Sequence, residues 1–293
     1  EAFDELYDTG ASTADIQPGE EVSCYDLLAA LLIPSSCEAA NIIALNVSDS
    51  ITEFTDLMNE KAEKLGMENT HFSNAHGLWA QQNYSSCKDM ATLCEYAISK
   101  YQVFRDIVCL PSYHMASTSY HSDGTDIYNT NLMLDSMTDY YYSYAKGIKT
   151  GTLDSAGRCL ASYAEYDGTT YLIVTMGAPM DKLEEDVKKG EEDPDSIYGG
   201  DNVYYNLLDH ISLYKWAFSS LVATDFVDKN SEVRDVKVSY GDGIDYANLK
   251  PANGFTRLWP VDISVNDVEK KITVFDNVVA VSYTHLRAHE TDS

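Results

Sequence analysis

Apolar side chains recur at three- and four-residue intervals in the first hundred residues, the spacing of amphipathic helices. Serines stand where such helices would begin, and Ser23 and Ser86 each have an aspartate three positions further on. Pro34 interrupts the first helix. Five helices are predicted. The first begins after Ser23 and ends at residue 33, the second covers about 38–47, the third begins at Ser50 and stops at Gly66, the fourth covers Ser86 to 97, and the fifth lies around 204–221.

The pattern changes to alternation in the middle of the chain. Residues 158–166 and 170–176 are rich in strand-forming side chains, and Asp167-Gly168 between them is a strong hairpin signal. Between this hairpin and the last helix, about 181–201 is acidic and Gly-rich, which predicts a solvated insertion. Helices around a hairpin predict an α+β fold, an α/β sandwich.

Alternation returns after residue 224, at Val233, Val236 and Val238, then at Ile263 and Val265, and at Ile272 and Val274. We therefore predict a partial catalytic-type domain over 1–222 and a partial β-rich domain over 223–280. Residues 281–293 resemble a translated sequencing adapter and follow the preceding segment without turn or cap residues. This tail is predicted to be artefactual and is left out of the inferences on fold and function.

Composition and net charge argue against several classes of binding partner. The chain has 47 acidic and 20 basic residues and a formal charge of −27, a field that repels nucleic acid and anionic lipid surfaces. No calcium-loop motif is present, and the six scattered cysteines form no C-x-x-C pair, so no metal site is predicted. The cysteines are expected to be free thiols in the core.

Lys149-Thr150-Gly151 is the strongest candidate for chemistry. It directly precedes the predicted hairpin, so it would lie on a strand beside it. There a lysine offers a cation, a threonine a hydroxyl, and a glycine a bare backbone against which a carboxylate-bearing ligand can lie. An ordinary edge strand with a solvated lysine is the structural alternative.

Neighbouring motifs strengthen the functional interpretation. Several short stretches occur in the order typical of one family, and in them the chain resembles the serine D-Ala-D-Ala carboxypeptidases, the low-molecular-mass penicillin-binding proteins of peptidase family S11. The resemblance covers roughly residues 18 to 222. The matching stretches are Pro18-Gly-Glu-Glu-Val22, Leu31-Leu-Ile-Pro-Ser-Ser-Cys-Glu-Ala-Ala-Asn41, Asn69-Thr-His-Phe-Ser-Asn-Ala-His-Gly-Leu78, Asn129-Thr-Asn-Leu132 and Lys146-Gly-Ile-Lys-Thr-Gly151.

The resemblance assigns roles to particular residues. The family combines S-x-x-K, S-x-N and K-T-G motifs, and the second falls on Ser35-Ser36-Cys37, with Cys37 in place of asparagine. Ser35 would relay a proton to the leaving amine, and Cys37 would occupy a substrate-binding position. A thiol is a weak hydrogen-bonding group, so either substrate placement differs or Asn41 compensates. Alternatively, Cys37 only fills space at a helix start.

The nucleophile motif is the missing part. Only 34 residues precede Ser35, and none of them form S-x-x-K. Three later matches, at 85–88, 143–146 and 212–215, contradict the family order. Of these, Ser85 and Lys88 fit best, but helix capping explains that serine better. We expect the nucleophile segment to lie upstream of Glu1 and this fragment to be inactive.

The implied function is removal of the terminal D-alanine from peptidoglycan stem peptides through an acyl-enzyme, outside the cytoplasmic membrane. Lys149 would be catalytic and would bind the carboxylate with Thr150. The backbone at Gly151 would lie against the bound substrate, and the N–H of Thr152 would form half of an oxyanion hole. No cofactor is implied, β-lactam antibiotics would inhibit the full-length enzyme, and any membrane contact would come through segments missing here. The alternatives are a β-lactamase and a non-catalytic peptidoglycan-binding protein.

Overall fold

Two structural units, Glu1–Tyr214 and Lys215–Ser293, make up the chain in the computed structural model. The structure describes residues 1–200, 202–239, 243, 245–269, 271, 273 and 277–279. The predicted tail 281–293 lies outside the described residues. The assignment of 1–222 and 223–280 to two functional domains stays a prediction.

Serine caps begin the helices of the first unit, as predicted. The hydroxyls of Ser23, Ser50 and Ser86 each accept a hydrogen bond from the backbone N–H three residues further on, which satisfies one of the free donors of the first turn. Ser36 caps in the same way. The helices are α1 (Cys24–Leu32), α2 (Cys37–Val47), α3 (Ile51–Lys64) and α4 (Cys87–Lys100).

A short helix and a two-stranded ribbon follow that were not predicted. They are α5 (Gln102–Val108) and the antiparallel strands β1 (Ser112–Met115) and β2 (Thr125–Tyr128). Four-residue strands carry too little alternation to be recognised by period. They matter for packing, because one core joins this ribbon to the first helices; its members include Ala29, Ile33, Ile107, Met115 and Ile127.

The predicted hairpin and the predicted Lys149-Thr150-Gly151 strand beside it are both confirmed. Strands β3 (Ala145–Leu153), β4 (Gly157–Tyr166) and β5 (Thr169–Ala178) form an antiparallel sheet with β4 in the centre. The Asp167-Gly168 turn has positive φ at both residues, which explains why Asp and Gly occupy it. In the described sheet, β3 is an edge strand.

The acidic insertion contains a helix, which the sequence analysis did not predict. Helix α6 (Glu184–Glu192) lies inside it. Glu184, Glu185 and Asp186 lie in its first turn, where their carboxylates complement the helix dipole. The buried Asp186 accepts hydrogen bonds from Lys189 at 2.5 Å and from Tyr205 at 2.8 Å, and these contacts order the segment.

Helices cover both faces of the sheet. Ala161 and Tyr163 of β4 pack in a core with residues of α4 and α5. Ser162 points to the opposite face because side chains alternate along a strand. There its hydroxyl meets His210 of helix α7 (Tyr205–Ser220). The predicted α+β sandwich is therefore confirmed.

The second unit is built from short strands. Strands β6 (Leu221–Val227) and β9 (Phe255–Pro260) pair antiparallel, as do β7 (Arg234–Ser239) and β8 (Tyr246–Leu249), and β10 (Asn277–Val279) pairs parallel to β7. The predicted strand at 263–265 is wrong, because Ser264 caps a 3-10 turn over Val265–Asp267. The alternating positions 272 and 274 lie outside the described residues. In the part of the chain described, no helix is long and apolar enough to cross a membrane.

Candidate functional site

Strand β3 carries Lys149 into a partly buried position beside the Ser35–Cys37 turn. Its Nζ donates to the backbone carbonyl of Thr150 at 3.1 Å. Burial lowers the pKa of Lys149 to about 8, and the neighbouring Cys37 thiol acts weakly in the opposite direction. Among the described residues, no carboxylate forms an ion pair with this lysine. None of the described residues therefore supplies a carboxylate that would neutralise the Lys149 ammonium.

The next residues of β3 are accessible. The Thr150 hydroxyl lies 2.5 Å from the hydroxyl of Thr130, which belongs to the loop before the strand. Gly151 and Thr152 are exposed. A Cβ at Gly151 would meet nothing closer than the Cβ of Cys159, at 3.9 Å, so the backbone here is open to an approaching group.

The Ser35 turn is held in an unusual conformation. Ser35 has a φ of +70°, the left-handed region, which costs a non-glycine residue roughly 1 kcal/mol. Its neighbours maintain it: the N–H of Ser36 donates to the Ala30 carbonyl at 2.9 Å, and the Ser36 hydroxyl caps α2. Ser35 itself is only partly buried. The turn therefore presents Ser35 on a fixed backbone.

Cys37 is buried at the start of α2. Its N–H donates to the Ser12 carbonyl at 2.9 Å. Burial raises the pKa of the Cys37 thiol, and the charge of Glu38 adds to this effect. Lys149 acts in the opposite direction on the same pKa, just as Cys37 acts on that of Lys149. The two side chains are therefore close enough for the charge of one to affect the pKa of the other.

Asn41 does not take the place of the missing asparagine in this structure. Its amide nitrogen donates to the Ala2 carbonyl at 3.1 Å and to Glu5 Oε1 at 2.9 Å, and the side chain is fully buried. Because both amide donors are engaged with the N-terminal segment, they are not available at Lys149. The buried Oδ1 of Asn41 has no hydrogen-bond partner among the described residues, and the role of Cys37 stays a prediction.

The histidines of the 69–78 stretch have structural contacts. His76 Nδ1 accepts from the Leu78 N–H at 3.1 Å, and its Nε2 lies 3.3 Å from Glu5 Oε1. Burial lowers the pKa of His76, against the influence of Glu5. His71 contacts the Gln82 carbonyl at 2.7 Å. Within the described residues, no cluster of three His, Cys, Asp or Glu side chains could hold a metal ion.

The later S-x-x-K matches lack the geometry of a nucleophile. The Ser85 hydroxyl is bonded to Thr70 at 2.8 Å, while Lys88 is exposed on α4. The serines of the other two matches, Ser143 and Ser212, are exposed, and the first is not on a helix. Charge influence links Cys37 with Lys149, and Thr130 links the Ile33 carbonyl with Thr150; none of these interactions involves the three later matches.

Two features escaped sequence reasoning. Thr130 touches Thr150, and its only signal was the Asn129-Thr-Asn-Leu132 stretch, to which no role was assigned. The second is a buried network in which Ser162 Oγ lies 2.7 Å from His210 Nδ1, while His210 Nε2 lies 3.0 Å from Thr175 Oγ1. Ser162 and His210 are fully buried, so this serine–histidine pair joins β4 to α7 rather than facing a substrate.

The cysteine prediction needs correction. All six are free, as expected, but only Cys37 and Cys94 are buried. Cys24 and Cys87, at the starts of α1 and α4, are exposed, and Cys109 and Cys159 are partly buried.

The first unit is thus a helix-covered antiparallel sheet whose edge strand carries Lys-Thr-Gly, with a Ser-x-Cys turn at the start of α2. The family model described as D-alanyl-D-alanine carboxypeptidase matches residues 2–180, and the chain belongs to this family.

Individual relatives agree. The chain is 28% identical to the D-alanyl-D-alanine carboxypeptidase DacF of Bacillus subtilis over 277 residues, 92% of this chain and 62% of that protein. It is 31% identical to DacC of Escherichia coli over 184 residues, 59% of this chain and 41% of that protein. The chain therefore spans about two fifths to three fifths of the length of these relatives.

Solved structures give the fold. A variant of the Streptomyces K15 DD-transpeptidase superposes with a TM-score of 0.56 at 31% identity, covering 61% of this chain and 70% of the other. Penicillin binding protein 5 of Haemophilus influenzae superposes with a TM-score of 0.62 over 87% of this chain and 64% of the other, at 21% identity. The predicted transpeptidase-like fold is confirmed.

Proposed function

We propose that this chain is part of a serine D-alanyl-D-alanine carboxypeptidase that removes the terminal D-alanine from peptidoglycan stem peptides through an acyl-enzyme. One observation carries the proposal: Thr130 is hydrogen-bonded both to the Ile33 carbonyl, two residues before Ser35, and to the Thr150 hydroxyl, next to a lysine that has no carboxylate partner among the described residues. Family membership supports it.

Recognition of the substrate's C-terminal carboxylate falls to β3. Lys149 supplies a charge and Thr150 a hydroxyl donor, and a charge-assisted hydrogen bond is about twice as strong as a neutral one. The accessible backbone of Gly151 lets the peptide lie against the strand. A lysine with a pKa of about 8 is mostly protonated at neutral pH, as carboxylate binding requires.

Proton transfer falls to Ser35. Its hydroxyl would carry a proton toward the leaving amine, and its fixed backbone reduces the entropy lost in reaching that geometry. Solved structures of the Streptomyces K15 DD-transpeptidase include variants at a serine and at a cysteine two positions later. The same spacing separates Ser35 from Cys37, which supports a Ser-x-Cys motif as a working version of the second motif.

Two further components complete the mechanism. The N–H of Thr152 would donate to the developing oxyanion, and the N–H of the nucleophilic serine would be its partner. The attacking serine, activated by a lysine three residues later, belongs to an S-x-x-K motif that none of this chain's three matches supplies. No cofactor is part of the proposal.

The setting follows from the substrate. Peptidoglycan lies outside the cytoplasmic membrane, so we assign the enzyme there, either secreted or attached through segments not in this sequence. β-Lactam antibiotics would acylate the full-length enzyme. The net charge of −27 disfavours nucleic acid as a partner. Residues 1–222 would be the catalytic part and 223–280 an accessory β-rich domain.

A fluorescent penicillin tests the proposal on the full-length gene product. We expect a covalent label that persists for minutes and D-alanine release from a D-Ala-D-Ala peptide. Rapid loss of the label with antibiotic turnover would indicate a β-lactamase, and no label would indicate a binding protein. The 293-residue chain serves as the matched control. None of its three S-x-x-K matches is expected to supply the nucleophile, so penicillin should leave its mass unchanged.

A further inference from the structure

Hydrogen bonds hold both residues that flank Thr130 in the chain. The Asn129 N–H donates to the Pro111 carbonyl at 2.8 Å, and its amide nitrogen donates to the Leu110 carbonyl at 2.9 Å. Asn131 is buried, and its Oδ1 accepts from the Met133 N–H at 3.2 Å. Both asparagines point into the protein, so the side chain between them is held at the surface on a rigid support.

This support places Thr130 between the two halves of the site. Its N–H donates to the carbonyl of Ile33 at 3.4 Å, two residues before Ser35. Its hydroxyl lies 2.5 Å from that of Thr150. One residue therefore joins the turn that carries Ser35 to the strand that carries Lys149.

The direction of the hydroxyl bond depends on the ligand. Each threonine hydroxyl has one hydrogen to donate and lone pairs to accept, whereas a carboxylate only accepts. When Thr150 donates to a carboxylate, its hydrogen is used, so the bond between the two threonines must run from Thr130 to Thr150. A hydroxyl that accepts such a bond becomes a better donor, because neighbouring hydrogen bonds polarise one another.

We propose that Thr130 is a positioning residue for carboxylate recognition: it fixes the Thr150 hydroxyl as a donor to the substrate's C-terminal carboxylate and ties β3 to the Ser35 turn. This inference rests on the proposed function, since it presumes a carboxylate ligand at Lys149 and Thr150. It adds a residue outside the three motifs and gives it a hydrogen-bonding role.

Binding to the 293-residue chain tests the inference without requiring catalysis. Threonine-methyl NMR would follow titration with N-acetyl-D-Ala-D-Ala and with its C-terminal amide, which lacks the carboxylate. We expect Thr130→Val to weaken binding of the acid about tenfold, equivalent to ~1.4 kcal/mol, with little effect on the amide. Thr130→Ser should retain near-normal binding because it keeps the hydroxyl.

Two controls separate positioning from simple structural damage. Thr92→Val removes a hydroxyl that bonds only to its own helix, at the Lys88 carbonyl, and should bind both ligands normally. In Thr130→Val, the residual affinity should still decline through the same pH midpoint near 8, because Lys149 is unchanged. A displaced strand would move that midpoint.

The possible results are distinct. Equal binding by Thr130→Val and the unaltered chain would overturn the inference alone, as would equal losses in the valine and serine variants or equal losses for acid and amide. If the unaltered chain shows no preference for the acid over the amide, the proposed function fails at this site, and the role of Thr130 fails with it.

Discussion

At the scale of single residues, the charge of Lys149 controls the proposed site. Its pKa of about 8 means that the ammonium is lost at a pH where an ordinary lysine stays protonated. We expect affinity for N-acetyl-D-Ala-D-Ala to fall as the pH rises through about 8, by roughly tenfold or more once the lysine is neutral. NMR titrations between pH 6.5 and 9.5 would measure this decline.

Lys149→Arg is the matched variant for that profile. A guanidinium stays charged throughout this range, so whatever affinity the variant retains should not vary with pH. The same decline in the arginine variant would assign the titration to another group and contradict the role given to Lys149.

Cysteine reactivity provides a second test at this scale. The thiolate is the reactive form, and burial raises the pKa of Cys94 to about 11, which reduces its thiolate fraction about a hundredfold relative to an ordinary cysteine. Cys37 is also buried, with a raised pKa. We expect iodoacetamide at pH 8 to modify Cys24 and Cys87 first, with Cys37 and Cys94 far slower. Peptide mass mapping over time would detect the order, and fast labelling of Cys37 would contradict its buried position.

Motifs predict only part of the site at residue level. Lys149, Thr150 and Ser35 are identified in the sequence because each belongs to a short pattern with a chemical meaning. The contribution of Thr130 cannot be identified in this way. It lies in a loop twenty residues from its hydroxyl partner, and loop geometry is set by long-range contacts such as that of Asn129 with Pro111.

At the scale of elements, the capping serine of α2 supports the site directly. The Ser36 hydroxyl is fully buried and accepts from the Ala39 N–H at 3.1 Å. Ser36→Ala would leave that donor unsatisfied, at a cost of about 1–2 kcal/mol in the free energy of unfolding. Ser50→Ala removes an equivalent but exposed cap, where water replaces the hydroxyl, and should cost less. Urea unfolding of both variants compares them, and equal losses would mean that the Ser36 cap is not specially important.

Element prediction succeeds where the signal is local. The helices after Ser23, Ser50 and Ser86 have caps and apolar periods within a few residues, and the structure confirms them. Strand β1 has only four residues, and β9 pairs with β6, which lies well before it in the chain, so local alternation identifies neither. The 3-10 turn at 265–267 was misjudged because two apolar residues separated by one position imitate a strand.

At the scale of the whole molecule, the buried network between β4 and α7 connects stability to pH. His210 is fully buried, with Ser162 and Thr175 at its two ring nitrogens, and burial lowers its pKa to about 4. The unfolded chain, with an ordinary histidine pKa near 6.5, binds more protons between these two values. Stability from this group is therefore complete above pH 6.5 and is lost as the pH falls toward 4.

The expected size is roughly 3 kcal/mol over that interval, from a shift of about 2.5 pH units at 1.36 kcal/mol per unit. The many carboxylates of this acidic chain also begin to titrate there, so the comparison must be made with a variant. His210→Gln cannot take up the proton. It should be less stable at pH 7, yet lose less of its unfolding free energy between pH 6.5 and 4 than the unaltered chain does.

His114→Gln is the matched control, because His114 is exposed and pairs with the exposed Asp126 at 2.8 Å. Its variant should follow the unaltered chain closely. Urea unfolding at several pH values, monitored by far-ultraviolet circular dichroism, would give the slopes. An identical pH dependence in the unaltered chain and His210→Gln would show that the network does not hold a neutral histidine. The hydrogen bonds of His210 between β4 and α7 would then not account for the pH dependence of the unfolding free energy.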